Sequence, residues 1–307
     1  MTAPVLLSLG HGYSAAALGR RLLARGWRVI GTGRSAESLA RIRAAGAEAV
    51  PWPGTPLGPL LAQATHLLTS IAPDEEGDPV LRAEGEAVAQ AAPHLAWAGY
   101  LSTTGVYGDR GGGWVDEESE LRPATARGRA RVAAEAAWAA IPGLPLHIFR
   151  LAGIYGPGRG PFEKVRRGTA RRIVKPGQVF SRIHVEDIAQ ALEASIARPR
   201  PGAIYNLCDD DPAPPEAVIA HAAHLLGLPP PPEEDFETAA MTPMARSFYA
   251  ESKRVSNARM KAELGVRLLY PGYREGLAAL LAAERGAEAT AAPGGDGKSP
   301  PTAHGQG

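Results

Sequence analysis

Through the first half of the chain, short apolar runs alternate with stretches whose apolar residues recur at helical spacing. Val5 to Leu9 reads as a buried strand, and Ala15 to Arg25 follows with Leu18, Leu22 and Leu23 on one helical face. Arg28 to Gly31 is the next strand, then a Ser35-capped helix to Ala45 and a short strand from Ala47 to Val50. His66 to Ser70, Trp97 to Ser102 and Leu146 to Arg150 repeat the strand pattern, with helices Val80 to Ala92 and Ala130 to Ala140 between them. Such alternation implies right-handed crossovers and a parallel sheet covered on both faces. That is the α/β doubly wound, or Rossmann, fold, whose ligands sit outside the carboxyl ends of the strands.

The second half is less regular and predicts a smaller C-terminal substrate lobe. Arg171 to Lys175 and Phe180 to His184 read as two strands joined by Pro176-Gly177. A helix covers Val185 to Ala197, and Ala203 to Asn206 is placed to return to the main sheet. Pro229 to Pro232 is a stiff linker that no helix crosses, with helical patterns beyond it at Val255 to Glu263 and Tyr273 to Arg285. The predicted division is a dinucleotide-binding core over 1–155, to which 178–208 return. The lobe is made by 156–177 and 209–285, and 286–307 form a disordered tail without large apolar residues.

The 307 residues are 45% hydrophobic and 21% charged, with a formal net charge of +1, which offers no support for a nucleic-acid or membrane-surface protein. Cys208 is the single cysteine, so no disulfide forms within the chain, as suits a reducing cytoplasm. No apolar run approaches the ~20 residues of a membrane span, and no basic n-region precedes the first apolar stretch. A cytoplasmic monomer or homodimer acting on a small molecule is expected.

Gly10-His-Gly-Tyr-Ser-Ala15 follows the first strand and opens the first helix, the context a G-x-G-x-x-A dinucleotide fingerprint requires. Gly10 makes the tight turn, Gly12 lets backbone approach a pyrophosphate, and Ala15 permits close helix–strand packing. Tyr13 and Ser14 begin the helix whose N–H groups face the phosphates. The next strand ends Thr32-Gly-Arg34-Ser35, with no carboxylate before Glu37. Arg34 is therefore placed to meet a 2′-phosphate, favouring NADP over NAD, although a solvated arginine at a helix start is the bland alternative. His221 and His224 share a helix face but lack the companions of a metal site.

Leu101-Ser-Thr-Thr-Gly-Val-Tyr-Gly108 resembles the active-site strand of the extended short-chain dehydrogenases/reductases, the family of sugar-nucleotide epimerases and dehydratases. Arg150-Leu-Ala-Gly-Ile-Tyr-Gly-Pro-Gly158 and Arg182-Ile-His-Val-Glu-Asp187 resemble two further family segments, the first a loop passing the nicotinamide. Ser252-Lys-Arg254, with Leu264-Gly265 and Tyr270-Pro271 after it, resembles the family's carboxy-terminal segment. The resemblance spans about residues 3–285 and points to an atypical, YeeZ-like branch related to NAD(P)-dependent epimerases/dehydratases.

The resemblance implies that Thr103 bonds the substrate carbonyl or hydroxyl, against the alternative of a strand-end threonine bonding only backbone. It also places Ser70, Ala72 and Pro73 beside the adenosine-side ribose and phosphates, unless Pro73 merely ends its strand. The family's Tyr-x-x-x-Lys pair is replaced here by Arg127 and Arg131. Arginine stays protonated, so these two are either anion clamps in the cleft or members of a solvated helix face. Substitute proton donors are Tyr249, if it reaches the cleft from the second lobe, Tyr107 as a second candidate and Tyr155 as a third, with His184 a lesser one. Tyr249-Ala-Glu-Ser-Lys253 has the right spacing but lies beyond the proline linker. Lys164, Arg166, Arg167, Arg171, Arg172 and Lys175 form either a substrate-facing cation cluster or a solvated face. Two functions remain in view: an NAD(P)-dependent oxidoreductase or epimerase relative acting on a small anionic or sugar-like substrate, and a non-catalytic NADP(H)-binding redox sensor or partner module.

Overall fold

The computed structural model describes residues 3–291. Seven strands form one sheet whose neighbours are all parallel, in the spatial order Ile204–Leu207, Leu146–Leu151, Trp97–Thr103, His66–Thr69, Val5–Leu9, Arg28–Gly33, Glu48–Pro51. The order reverses between Val5–Leu9 and His66–Thr69, where the crossovers diverge to opposite faces and leave a crevice at the strands' carboxyl ends. Both faces of the sheet are covered, which is why its strands are nearly uninterrupted apolar runs rather than alternating ones.

On one face, the helices Tyr13–Leu23 and Val185–Ala197 pack together through the small Ala17 and Ala189 and through Val185. Arg20–Glu186 and Arg21–Glu193, each 2.7 Å, tie their outer edges. On the other, Val80 and Val88 of Pro79–Ala91 and Trp138 of Ala126–Ala139 meet Tyr100 and Ile148 of the sheet. Asp78 caps the first of these helices and also accepts the Trp138 Nε1–H at 2.9 Å, joining the two helices at one carboxylate.

A separate apolar cluster organises the smaller lobe, where Phe162, Val165, Ala222, Ala223, Tyr273 and Leu277 are buried together. The lobe is fastened by two-stranded parallel ladders between segments far apart in sequence. Arg172–Val174 pairs with Glu233–Asp235, Arg182–His184 with Gly153–Tyr155, and Trp114–Val115 with Arg254–Val255. The two strands on either side of Pro176-Gly177 do form, shorter than expected, and each pairs with a different segment rather than with the other. The helix expected from Ala130 begins at Ala126, because the Thr125 hydroxyl accepts the Gly128 N–H at 3.0 Å and caps it there. The last helix runs Tyr273–Ala291, so 286–291 are helical rather than part of a disordered tail; the rest of that tail lies outside the described residues.

Candidate functional site

The fingerprint loop is held at both flanks by the strands beside it. Gly10 sits at φ +73°, and a Cβ there would stand 2.8 Å from Ile71 Cγ1, so only glycine fits. Its N–H donates to Thr32 Oγ1 at 2.8 Å, its carbonyl accepts the Ser70 hydroxyl, and the His11 N–H donates to the Thr32 carbonyl at 2.9 Å. Thr32 and Ser70 thus shape the loop.

Gly12 is different. Its φ of −91° suits any residue, and a Cβ would find only the Gly10 carbonyl, 3.8 Å away. Nothing among the described residues demands glycine there. The helix that follows has no side-chain cap and no acidic residue in its first turn, leaving N–H groups and positive dipole open above an exposed glycine.

His11 was not anticipated as a structural residue. Its buried ring fills a notch between strand and helix, and a Cβ on Gly31 or Gly19 would lie 2.7 or 2.8 Å from imidazole atoms. Burial lowers its pKa to about 4, so the wedge is neutral.

Arg34 leaves the end of Arg28–Gly33 exposed, with no hydrogen bond or ion pair to any other described residue. The nearest acidic residue in sequence, Glu37, is engaged by Arg41 at 2.6 Å. The Ser35 hydroxyl accepts the Ser38 N–H and caps the next helix. Ser14 is buried, Ala72 exposed and Pro73 half-buried along the loop after His66–Thr69.

At the crevice, half-buried Thr103 ends its strand and accepts the Gly105 N–H at 3.1 Å; its own hydroxyl proton has no acceptor among the described residues. The chain then turns into a single 3-10 turn, Thr104–Tyr107, which swings Tyr107 inward. Tyr107 is fully buried, donates to Asn206 Oδ1 at 2.7 Å and accepts from Arg150 Nη1 at 3.0 Å. That removes Tyr107 as a proton donor: its hydroxyl is spent in the core.

Arg127 and Arg131 diverge. Arg131 is half-buried, and its Nη1 donates to the Leu101 carbonyl at 2.8 Å and to the Tyr100 hydroxyl at 3.0 Å, tying helix to strand. Arg127 is exposed with no carboxylate partner among the described residues, and its guanidinium lies 5.4 Å from the centroid of the Phe248 ring. Phe248, on the short lobe helix Pro243–Phe248, is itself 54% exposed. Lobe and core thus meet through a cation and an aromatic face.

The remaining candidates are engaged elsewhere. The Tyr155 hydroxyl is buried, reaching the Gly272 carbonyl at 3.3 Å, and burial pushes its pKa up. Tyr249 packs between Phe180 and Phe236, while buried Lys253 binds the Gly108 carbonyl at 2.9 Å and Glu251 at 2.5 Å, so the two are not a catalytic pair. His184 caps Val185–Ala197 by accepting the Glu186 N–H on Nδ1.

The cation cluster resolves mostly into ion pairs: Arg166 with Glu284, Arg167 with Glu163, Arg171 with Glu234 and Arg172 with Glu233. Lys175 donates to the Tyr249 carbonyl. Arg167 and Glu163 are a local pair four residues apart, whereas the partners of Arg166, Arg171 and Arg172 come from distant sequence, which the local pattern could not reveal. His221 and His224 lie 6.5 Å apart, and no described group of three His, Cys, Asp or Glu could hold a metal ion. No helix among the described residues is long and apolar enough to cross a membrane.

No family model matches the chain. Protein YeeZ of Escherichia coli K12 is 30% identical over 277 residues, which cover 86% of this chain and 95% of YeeZ. A conserved protein of unknown function from Silicibacter pomeroyi is 62% identical and superposes with a TM-score of 0.89 over 92% of this chain and 99% of its own. A candidate NAD-dependent epimerase/dehydratase from Methylobacillus flagellatus is 27% identical, with a TM-score of 0.71 over 93% of this chain and 100% of its own. The fold, the open fingerprint loop and these relatives agree: the chain belongs with YeeZ among the Rossmann-fold, epimerase/dehydratase-like NAD(P)-binding proteins.

Proposed function

We propose that this protein is an NADP(H)-dependent oxidoreductase of the extended short-chain dehydrogenase type, acting on a small anionic or sugar-like carbonyl substrate. The observation that carries the reading is Gly12, an exposed glycine with ordinary φ and open space beside it, at an uncapped helix N-terminus. A diphosphate approaching those N–H groups explains why a side chain is excluded there. The unpaired Arg34 at the end of the second strand supports a 2′-phosphate partner.

A bound nicotinamide would supply or accept the hydride at C4. On the protein side, the uncommitted Thr103 hydroxyl donates a hydrogen bond to the developing oxyanion. Arg127, exposed on the helix Ala126–Ala139, adds a fixed positive charge and binds the anionic part of the substrate. It cannot supply the proton, because a guanidinium does not deprotonate at workable pH. With Tyr107 and Tyr155 sealed in the interior, water delivers the proton that completes reduction of a carbonyl to an alcohol. The commitment of Arg131 to Tyr100 and Leu101 favours a second reading, a non-catalytic NADP(H)-binding sensor with no need of Thr103.

Titration of the pure protein with NADPH and NADH, repeated on Arg34→Ala, tests the cofactor preference. NADPH is to bind more tightly, and the variant is to lose that advantage; equal or absent binding sinks it. Hydride transfer from NADPH across a carbonyl panel, weakened in Thr103→Ala, supports the enzyme. Binding without transfer supports the sensor.

A further inference from the structure

We infer that Arg159, held by the turn Gly156–Arg159 against the start of the fingerprint helix, binds the diphosphate of the dinucleotide beside that helix's open N–H groups. This inference rests on the dinucleotide reading given above, and extends it to a residue outside the fingerprint.

Gly156 and Arg159 close the turn with reciprocal backbone hydrogen bonds of 3.1 and 2.9 Å. Tyr13, the first residue of the fingerprint helix, donates its hydroxyl to the Pro157 carbonyl at 3.0 Å. The contact is tight. A Cβ on Gly156 would stand 2.5 Å from the Tyr13 hydroxyl oxygen and 2.7 Å from Val185 Cγ1. Turn and helix start are thereby fixed against one another across 144 residues of sequence.

Arg159 is carried by that turn over the Tyr13 ring, its guanidinium 5.8 Å from the centroid. It is exposed and has no ion pair with any other described residue. The carboxylate close to Tyr13, that of Glu186, is already held by Arg20 at 2.7 Å. A full positive charge thus stands one side chain away from the uncapped N–H groups, with no anion to meet it. Behind the turn, His184 is 2% exposed, and its Nε2 lies 3.4 Å from the Gly156 Cβ position without any hydrogen-bond partner. Because Nδ1 accepts the Glu186 N–H, Nε2 carries the proton of the neutral ring, a second donor directed at the same turn.

A diphosphate fits this arrangement better than a substrate anion. Tyr13 opens the helix whose dipole attracts phosphate, whereas the substrate side is marked by Thr103 and Arg127, next to Phe248. An arginine can fork across phosphate oxygens, and its stacking on Tyr13 limits the freedom it loses on binding.

Calorimetric titration of Arg159→Ala and Arg159→Lys with NADPH and with adenosine 2′-monophosphate, which lacks the diphosphate, tests this. For Arg159→Ala the NADPH affinity is to fall about ten- to hundredfold, the loss of one charge-assisted contact. Adenosine 2′-monophosphate binding and the melting temperature are to stay unchanged, and Arg159→Lys is to recover part of the loss. Unchanged NADPH affinity, or equal losses for both ligands, overturns the inference while leaving the proposed function standing. A wild-type protein that binds no dinucleotide overturns both. A loss confined to substrate KM assigns Arg159 to the substrate instead, and overturns it too.

Discussion

Arg150 and Glu135 form an ion pair of 2.8 Å between side chains only 3% and 6% exposed. Glu135 also accepts the Ser102 hydroxyl, and Arg150 reaches Tyr107. The pair therefore anchors the helix that bears Arg127 and Arg131 to the strand end that bears Thr103. Removing one partner of a buried pair leaves the other charge uncompensated. Glu135→Gln is expected to lower unfolding stability by about 3 kcal/mol, read from the urea midpoint. An unchanged midpoint would show that the pair does not hold this region together.

Tyr107 belongs to the same network and not to the chemistry. Tyr107→Phe leaves Arg150 Nη1 and Asn206 Oδ1 without their partner, at a cost of about 1–3 kcal/mol. NADPH affinity and any hydride transfer are expected to match the wild type once the variant is folded. A selective loss of transfer with stability intact would return Tyr107 to the active site.

Gly12→Ala separates folding from binding. The open space at its Cβ position keeps the stability change below about 1 kcal/mol, as thermal unfolding would record. The same methyl group occupies the approach to the helix N–H groups, so NADPH affinity is expected to fall at least about tenfold. A variant that binds normally removes the argument from Gly12.

His184 gives the acid limb of stability a specific source. Burial lowers its pKa to about 4, below the 6.5 of an unfolded histidine, so the fold favours the neutral ring. Its contribution is complete above pH 6.5 and is lost as pH falls towards 4, with a slope of up to about 1.4 kcal/mol per pH unit. Protonation of Nδ1 would also remove the helix cap. His184→Asn keeps a capping oxygen without a titrating group, and is expected to flatten the melting temperature between pH 6.5 and 4 relative to the wild type. Parallel curves would place the acid limb elsewhere.

Asp209 acts with the opposite slope. Burial is the leading cause that raises its pKa to about 8, with Arg182 pulling it down and Asp210 and Asp211 pushing it up. The folded protein favours the protonated acid, so this group's contribution is complete below about pH 4 and drains away as pH rises through 8. Asp209→Asn retains an acceptor for the Asp211 N–H and is expected to gain stability relative to wild type as pH rises from 5 to 9. Differential scanning calorimetry across that range decides it; a constant difference would count against the raised pKa.

The first half of the fold was legible because each strand and helix announces itself within a dozen residues. Val5–Leu9, the Ser35 cap and the apolar face of Leu18 and Leu22 are all local patterns. The lobe was not legible to the same degree, since Arg172–Val174 finds its partner at Glu233–Asp235 and nothing local encodes such a pairing. The ion pairs of Arg171 and Arg172 follow from that same ladder. Tyr107 misled for another reason. The resemblance carries its place in the chain but not its direction, and the 3-10 turn after Thr103 swings the side chain into the core. Arg159 directly follows a recognised segment that ends at Gly158, but its importance depends on Tyr13, a neighbour no window of sequence includes.

The notch around His11 binds three positions into one inheritance. Gly19 and Gly31 leave room for the ring, and the ring fills the void that their missing side chains would otherwise open. An alanine at either glycine collides with the imidazole, and a small residue at 11 leaves a hole beside the fingerprint loop. Descendants of this sequence can therefore change the three only in concert. Relatives that carry a side chain at position 19 or 31 should carry a smaller residue at 11, so that this part of the loop records lineage rather than ligand.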